Sequence, residues 1–332
     1  MGATSTTPAP AVSVVVPARN EEGWIGRCLD SVLAQSYGDF EVLVGDGRST
    51  DGTRAIVERY SERDPRVRLL DNPRGTTSAS LNVCLREASG RYLVRVDAHS
   101  EIPADYVALA VARIESGSWG GVGGRKDGVG QTAAGRAIAA ALGSPFGVGN
   151  SVYHYGTAAQ KVDHVPFGVY RVDVLRSLGG WDETVTSNED YELDYRLRLA
   201  GHELLFDPAL RIRWLSKQTL GDFFAQYRRY GKGKSEVARL HPQSVAFRHL
   251  AAPVLVAALG TAAVVRRRRP RLATALTAPY AAALAAASVA TARDVEGAAA
   301  KALVPVAFAT MHVAWGLGFW EGMLASRTRR RR

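Results

Sequence analysis

From Val12 to Glu115, short runs of β-branched apolar residues alternate with segments whose apolar side chains recur at helical spacing. Val12–Val16 is the first strand, stopped by Pro17, and Ile25, Cys28, Leu29, Val32 and Leu33 then mark a helix. Phe40–Val44, Val67–Leu70 and Tyr92–Val96 read as further strands. Between them lie a helix with Thr50 or Asp51 as its N-cap and another over Thr77–Ala88, and Pro103 opens the next. Strands joined by helical crossovers pair in parallel, so the expected fold is α/β, a doubly wound and mostly parallel sheet. Such sheets bind ligands beyond the carboxyl ends of their strands. The polar clusters after the first, second and fourth strands lie at that edge.

Beyond residue 115 the pattern changes twice. Gly117–Gly180 is glycine-rich and loop-like, Asn188–Ala200 is a helix ended by Gly201, and Leu220–Ala238 reads as a basic amphipathic helix. After His249 three alanine-rich apolar segments follow, Ala251–Val265, Leu272–Ala290 and Ala302–Leu324. Crossing a bilayer takes about 20 residues, which the second and third supply and the first does not quite reach. Residues 249–325 are therefore expected to be membrane-associated, with 272–290 and 302–324 spanning and 251–265 interfacial or a marginal span. Residues 1–11, small and polar without a basic leader, read as a disordered lead, and 326–332 as a basic tail.

The formal net charge of +10 is confined to two clusters. Arg266–Arg269 with Arg271 form one, and Arg327 with Arg329–Arg332 the other. Removing these ten from the 42 lysines and arginines leaves 32, equal to the number of acids. A nearly neutral remainder argues against a nucleic-acid partner, and arginines bordering apolar helices suit anionic lipid headgroups. Three crossings from a cytoplasmic domain would put both clusters outside, against the tendency of positive loops to stay inside. A hairpin of the last two helices, with 251–265 in the interface, keeps both clusters cytoplasmic. The expected location is the cell membrane, with the domain ahead of the apolar helices on its cytoplasmic side. Cys28 and Cys84 sit on the apolar sides of helices and read as buried free thiols.

The fourth strand ends Arg95-Val96-Asp97-Ala98-His99. An aspartate and a histidine two residues apart on extended backbone share a face and can bind one divalent cation. The alternatives are a turn cap for Asp97 and an ordinary loop histidine for His99. Trp181 could face a ligand or lie in the core. The helix at Asn188 opens with Glu189 and Asp190, where acidic residues also complement the helix dipole.

Read together, Val14-Val15-Val16-Pro17-Ala18-Arg19-Asn20-Glu21, Gly45-Asp46-Gly47-Arg48-Ser49-Thr50-Asp51-Gly52, Asp71-Asn72-Pro73, Ala79-Ser80-Leu81-Asn82 and Asp97-Ala98-His99 resemble glycosyltransferase family 2, with its GT-A fold. The branch that makes succinoglycan-type exopolysaccharide is similar also in Ser144–Asn150 and Val165-Pro166-Phe167-Gly168. The resemblance implies a catalytic domain over 12–240, with a Rossmann-like nucleotide-sugar-binding half (12–115) and an acceptor half (116–240), ahead of the C-terminal hydrophobic helices. It implies donor contacts from Pro17, Ala18, Asn20, Glu21, Asp46, Asn72, Asn82 and Asp97. A metal would be held by Asp97 and His99, where His99 replaces the second aspartate of the family's Asp-x-Asp and favours manganese over magnesium. The final aspartate of the Glu189-Asp190 pair is implied as general base. Gln226, Arg229 and Tyr230 resemble a Gln-x-x-Arg-Trp motif near acceptor and diphosphate, with Trp181 on the acceptor side. The implied reaction is inverting transfer of a hexose from a nucleotide-diphosphate sugar to a polyprenyl-linked acceptor. Uridine is the default base and GDP-mannose the alternative donor.

Overall fold

The computed structural model describes residues 9–329; positions 1–8 of the expected lead and 330–332 of the expected tail lie outside them. The chain packs as two compact units. One comprises the residues up to Lys126, Gly156–Thr184 and Glu189–Arg213; the other comprises Asp127–Tyr155, Val185–Asn188 and the chain from Trp214 onward.

In the first unit β1 (Val12–Ala18), α1 (Ile25–Leu33), β2 (Phe40–Asp46), α2 (Thr53–Arg63), β3 (Val67–Asp71), α3 (Thr77–Glu87) and β4 (Tyr92–Arg95) follow the anticipated alternation. Beyond them come β5 (Ser100–Glu101), α4 (Tyr106–Glu115) and β6 (Trp119–Val129), whose far end leaves the unit. The sheet order is β3-β2-β1-β4 at one side, with the pairs β3/β2, β2/β1 and β1/β4 all parallel. Val12, Val14, Val15 and Val16 are wholly buried. A parallel strand covered by helices on both faces has no wet side, so its sequence is apolar without alternation. Each such valine or leucine stabilises the fold by roughly 1.5–3 kcal/mol. Cys28 and Cys84 are buried and unbridged.

After β4 the sheet turns antiparallel, as the sequence did not foretell. β8 (Val169–Arg171) lies between β4 and β6 and runs against both. β9 (Glu203–Leu215) continues the order to β5, and β7 (Gln160–Val162) pairs with β9. β8 is three residues long, too short for periodicity to reveal, and it follows a glycine. α7 (Val172–Ser177) and α8 (Glu189–Leu199) cover this part. The N-cap of α2 is Gly52 rather than Thr50 or Asp51, and Asp51 Oδ1 accepts from both the amide (3.0 Å) and the hydroxyl (2.6 Å) of Thr53 at the helix start.

The second unit holds α5 (Ala133–Leu142), α6 (Pro145–Val148), α9 (Leu220–Leu240), α10 (Arg248–Val265), α11 (Pro270–Ala292) and α12 (Ala298–Arg329). Among the described residues α10, α11 and α12 are long and apolar enough to cross a membrane. α10 extends three residues further toward the N-terminus than its apolar run. α9 and α12 approach to backbone contact. A β-carbon on Gly231 would meet the Trp315 carbonyl oxygen at 2.0 Å, and one on Gly318 would meet that of Arg228 at 1.9 Å. Arg228 also pairs with Glu321 at 2.8 Å, and Lys234 is buried.

Candidate active site

A single buried guanidinium organises the polar end of the first unit. Arg95, the last residue of β4, is 4 % exposed. Its Nε donates to Asp97 Oδ1 at 2.9 Å, Nη1 donates to Asp190 Oδ1, and both terminal nitrogens reach Glu189 Oε1 at 3.3 Å. Burial acts to discharge Arg95, but Asp190, Asp97 and Glu189 outweigh it and hold the group firmly cationic. At Asp97 burial favours the neutral acid, yet the charges of Arg95 and His99 prevail and keep its carboxyl below the usual range. At Asp190 burial wins: the carboxyl is pushed up to about 6, against the pull of Arg95 and with the help of Glu189.

Asp190 is set from behind. Trp181 is 2 % exposed and its Nε1 donates to Asp190 Oδ1 at 3.2 Å, so it belongs to the core and leaves no ring face for a sugar. The turn before it, Gly179 at φ +77° and Gly180 at φ +74°, needs glycine. Arg196, paired with buried Glu192 through Nε at 2.7 Å, donates to the carbonyls of Leu178 (2.8 Å) and Gly180 (2.7 Å), tying that turn to α8. Asn82 completes the clamp, donating to Trp181 O at 2.8 Å and accepting from Trp181 N at 2.8 Å. One turn beyond Asp190, wholly buried Asp194 accepts from Val165 N (2.8 Å) and Tyr170 Oη (3.0 Å) and meets His164 Nδ1 at 2.8 Å.

The carboxyl ends of β1 and β2 are laced together. Gly47 N donates to Ala18 O at 2.8 Å, Thr50 N donates to Asn20 Oδ1 at 2.8 Å, and Glu21 N donates to Thr53 Oγ1 at 2.7 Å. Asn20 takes a left-handed conformation, φ +55°. Buried Asp46 accepts from Ser49 N at 3.2 Å and faces Arg54 at 3.7 Å, while Pro17 lies in the buried β1/β2 ladder opposite Gly45. Asn72 is committed to its own loop, donating to Thr76 O (2.9 Å) and Ser80 Oγ (2.8 Å) and accepting from Arg74 and Gly75. Asn72 and Asn82 thus shape loops with the groups expected to touch a donor.

Residues 13–176 match the family profile described as glycosyl transferase family 2, and residues 167–292 match glycosyl transferase family group 2. The succinoglycan biosynthesis protein ExoA of Rhizobium meliloti (strain 1021) is 31% identical over 322 residues, 95% of this chain and 96% of that protein. The chain belongs to glycosyltransferase family 2. A dolichyl N-acetyl-α-D-glucosaminyl phosphate 3-β-D-2,3-diacetamido-2,3-dideoxy-β-D-glucuronosyltransferase of Methanococcus voltae is 21% identical over 69% of this chain and 74% of its own. Among solved structures, mannosyltransferase PcManGT of Pyrobaculum calidifontis, in complex with GDP-Man and Mn2+, shares the fold. Its TM-score is 0.62 at 23% identity, over 96% of this chain and 88% of that one.

Asp97 and His99 follow the end of β4, on the segment that leads to β5. Among the described residues no three His, Cys, Asp or Glu side chains gather to hold an ion by themselves. An anionic carboxylate and an imidazole fit an ion that completes its shell with phosphate oxygens. His99 Nδ1 lies 3.1 Å from Glu21 Oε1, which orients the ring from the β1 loop. Gln226, Arg229 and Tyr230 belong to the second unit, on one face of α9: Gln226 Nε2 donates to Tyr230 Oη at 3.0 Å, and the Arg229 guanidinium stands 5.8 Å from the Tyr230 ring.

Sequence reasoning passed over Arg95, Lys126 and Phe167. The signal for Arg95 was present, an arginine inside the apolar run of β4. Lys126 is half-buried on β6, and burial lowers it to about 8. Phe167 is buried with φ +52°, an uncommon conformation for an aromatic residue. The Phe167 ring carries the Lys126 Nζ at 4.9 Å and the Arg95 guanidinium at 5.8 Å.

Proposed function

We propose that this glycosyltransferase moves a hexose from a nucleotide-diphosphate sugar to a polyprenyl-linked saccharide in exopolysaccharide or cell-envelope glycan synthesis, with inversion at the anomeric carbon. The observation that carries the reading is the joining of Asp97 and Asp190 through Arg95, which sets a carboxylate suited to the donor side against one suited to the acceptor side. The similarity to ExoA over nearly the whole chain supports the polysaccharide context, and the Methanococcus relative, whose name specifies a dolichyl-linked acceptor, supports a lipid-borne one.

Ala18, Asn20, Glu21 and Asp46 surround the base and ribose. Asp97 and His99 hold a divalent cation, manganese by the softness of the imidazole or magnesium, which when bound supplies charge neutralisation to the diphosphate. The acceptor hydroxyl attacks the anomeric carbon on the face away from the diphosphate, and Asp190 takes its proton. A raised carboxyl suits that task, because its conjugate base is stronger than an ordinary carboxylate while still ionised at neutral pH. Gln226, Arg229 and Tyr230 contact acceptor or diphosphate, as a planar guanidinium can hold two phosphate oxygens.

α11 and α12 form a membrane hairpin and α10 lies in the interface, which leaves Arg266–Arg269 and the C-terminal arginines on the cytoplasmic side with anionic lipids. The two arginine clusters support this placement, since three crossings from a cytoplasmic domain would put both outside. The test is to incubate the purified protein with Mn2+, UDP- and GDP-sugars and a membrane lipid extract. Release of UDP or GDP with a matching mass gain on a polyprenyl-linked saccharide is expected. Binding of every donor without turnover overturns the enzyme reading, and a hexose found on polyprenyl phosphate itself overturns the saccharide acceptor.

A further inference from the structure

The start, middle and end of α12 are each held by other helices of its own compact unit. At the start, Arg136 of α5 donates through Nε to Glu296 O at 3.2 Å, two residues ahead of the helix. At the middle, His312 meets Phe146 O of α6 through Nε2 at 3.0 Å and Tyr280 Oη of α11 through Nδ1 at 3.1 Å. Near the end, Arg239 of α9 donates through Nη1 to Gly322 O at 2.7 Å, next to the Arg228–Glu321 pair. From Ala298 to Gly322 the helix rises about 36 Å at 1.5 Å per residue, more than a bilayer core of about 30 Å.

α5 and α9 begin side by side. Gln218 Oε1 accepts from Gln131 N at 2.7 Å and Thr132 N at 3.0 Å, and Ser216 N donates to Val129 O at 3.1 Å. An α12 that crossed a membrane would therefore have to take α5 and α9 through the hydrocarbon with it. α9 carries Arg228, Arg229, Lys232, Lys234, Glu236 and Arg239. Ionised side chains are costly at that depth, so this escort is not available.

The apolar surface left for lipid lies on the other two helices. Nearly half of the apolar stretch of α12 is buried within the protein, whereas those of α10 and α11 are mostly exposed. Phe247 at the head of α10, Val254 and Val264 along it, and Val289 on α11 are exposed. α10 is fastened to α12 by Trp320 Nε1, which donates to Pro253 O at 2.9 Å. Arg266–Arg269 and Arg271, between α10 and α11, are exposed as well and put positive charge beside these apolar faces. That pairing complements a bilayer with anionic headgroups.

We propose that α12 does not cross the membrane but lies along its face, a shelf that joins α5 and α9 to the lipid-facing α10 and α11. The turn at Glu296 thereby stays on the side of the membrane that holds α5 and α9. With Arg266–Arg269 on that side too, α11 begins and ends there, and the hairpin enters the bilayer and leaves it by one face. This placement rests on the membrane-bound reading above.

The test is cysteine labelling of the full chain in the membrane of a bacterial host, with an impermeant maleimide added to spheroplasts or to inside-out vesicles. Glu296→Cys and Ala325→Cys put thiols at the two ends of α12, and Gln243→Cys, in the turn after α9, marks the side of α9. All three positions are exposed, and the native Cys28 and Cys84 are buried. Glu296 holds Arg136 through its backbone oxygen, so its side chain can be exchanged without loss of that contact. The three thiols are expected to react together in inside-out vesicles and to stay unlabelled in spheroplasts. Opposite accessibility of Glu296→Cys and Ala325→Cys restores a spanning α12 and overturns the proposal. Accessibility of both from the side opposite Gln243→Cys overturns it as well. If the unaltered protein is recovered in the soluble fraction of lysed cells, the membrane reading itself fails, an outcome distinct from a wrong path for α12.

Discussion

The indole N–H of Trp181, sealed within the core, donates to Asp190 Oδ1 at 3.2 Å. This carboxyl, the proposed general base, is thus aimed from its buried side, and the aim can be disturbed without touching the pocket. Trp181→Phe keeps most of the packing and removes the donor. Turnover is expected to drop roughly tenfold, by analogy with one lost hydrogen bond to a charged group, with the KM for donor sugar unchanged. Steady-state kinetics beside a thermal melt separates this from loss of fold.

Asp190→Asn is expected to lower turnover by about 100-fold or more while sparing nucleoside-diphosphate binding. Because burial raises the Asp190 carboxyl to about 6, the base is protonated below that pH and ionised above it. The rate should therefore rise as pH increases through about 6 and level off near neutrality. A profile flat from about pH 5 upward would remove Asp190 from the role.

Without Arg95, three carboxylates share one pocket and lose the cation that joins them. Arg95→Met should cost about 3–5 kcal/mol of stability near neutrality. Its loss raises the folded-state affinity of those carboxyls for protons, so protonation relieves the repulsion as pH falls. The gap from the unaltered protein should narrow on acidification. Chemical denaturation at several pH values reads this directly, and a gap that widens toward low pH would contradict the network.

His99→Asp restores two carboxylates at the cation position. Oxygen-only ligation suits magnesium, so the preference for Mn2+ over Mg2+ in turnover should shrink or reverse. Asp97→Asn should raise the metal concentration needed for half-maximal rate, and chelation should silence the unaltered enzyme. A metal titration of all three proteins measures the effect.

Gly318→Val inserts side-chain atoms where the α12 backbone meets the Arg228 carbonyl, a contact of 1.9 Å for the first added carbon. Overpacking of this kind costs typically about 1–3 kcal/mol, and here backbone must move. A lower melting temperature in detergent is the expected result.

How far the sequence could be read depended on the range of the interactions involved. The parallel half was legible because strands buried on both faces must be apolar from end to end, as Val12–Val16 is. β8 was not, since three residues carry no period and its place between β4 and β6 comes from pairing distant in the chain. Asp97, His99 and Asp190 stood out by residue type and neighbours. Trp181 could not be assigned, because nothing local distinguishes a tryptophan facing a sugar from one sealed in the core. Asn72 and Asn82 came as donor contacts from the resemblance alone, which carries nothing of the backbone bonds their amides make. Lys126 and Phe167 gain meaning only when β8 brings them together.

The glycine contact between α9 and α12 changes what counts as removable. α12 carries the sequence of an anchor, and anchors are commonly cut away to obtain a soluble enzyme. Here Gly231 rests on the Trp315 carbonyl and Gly318 on that of Arg228, so the last helix is part of the wall behind Gln226, Arg229 and Tyr230. A chain shortened before Ala298 would lose that wall, and α9 would be left with a bare, glycine-notched face in water.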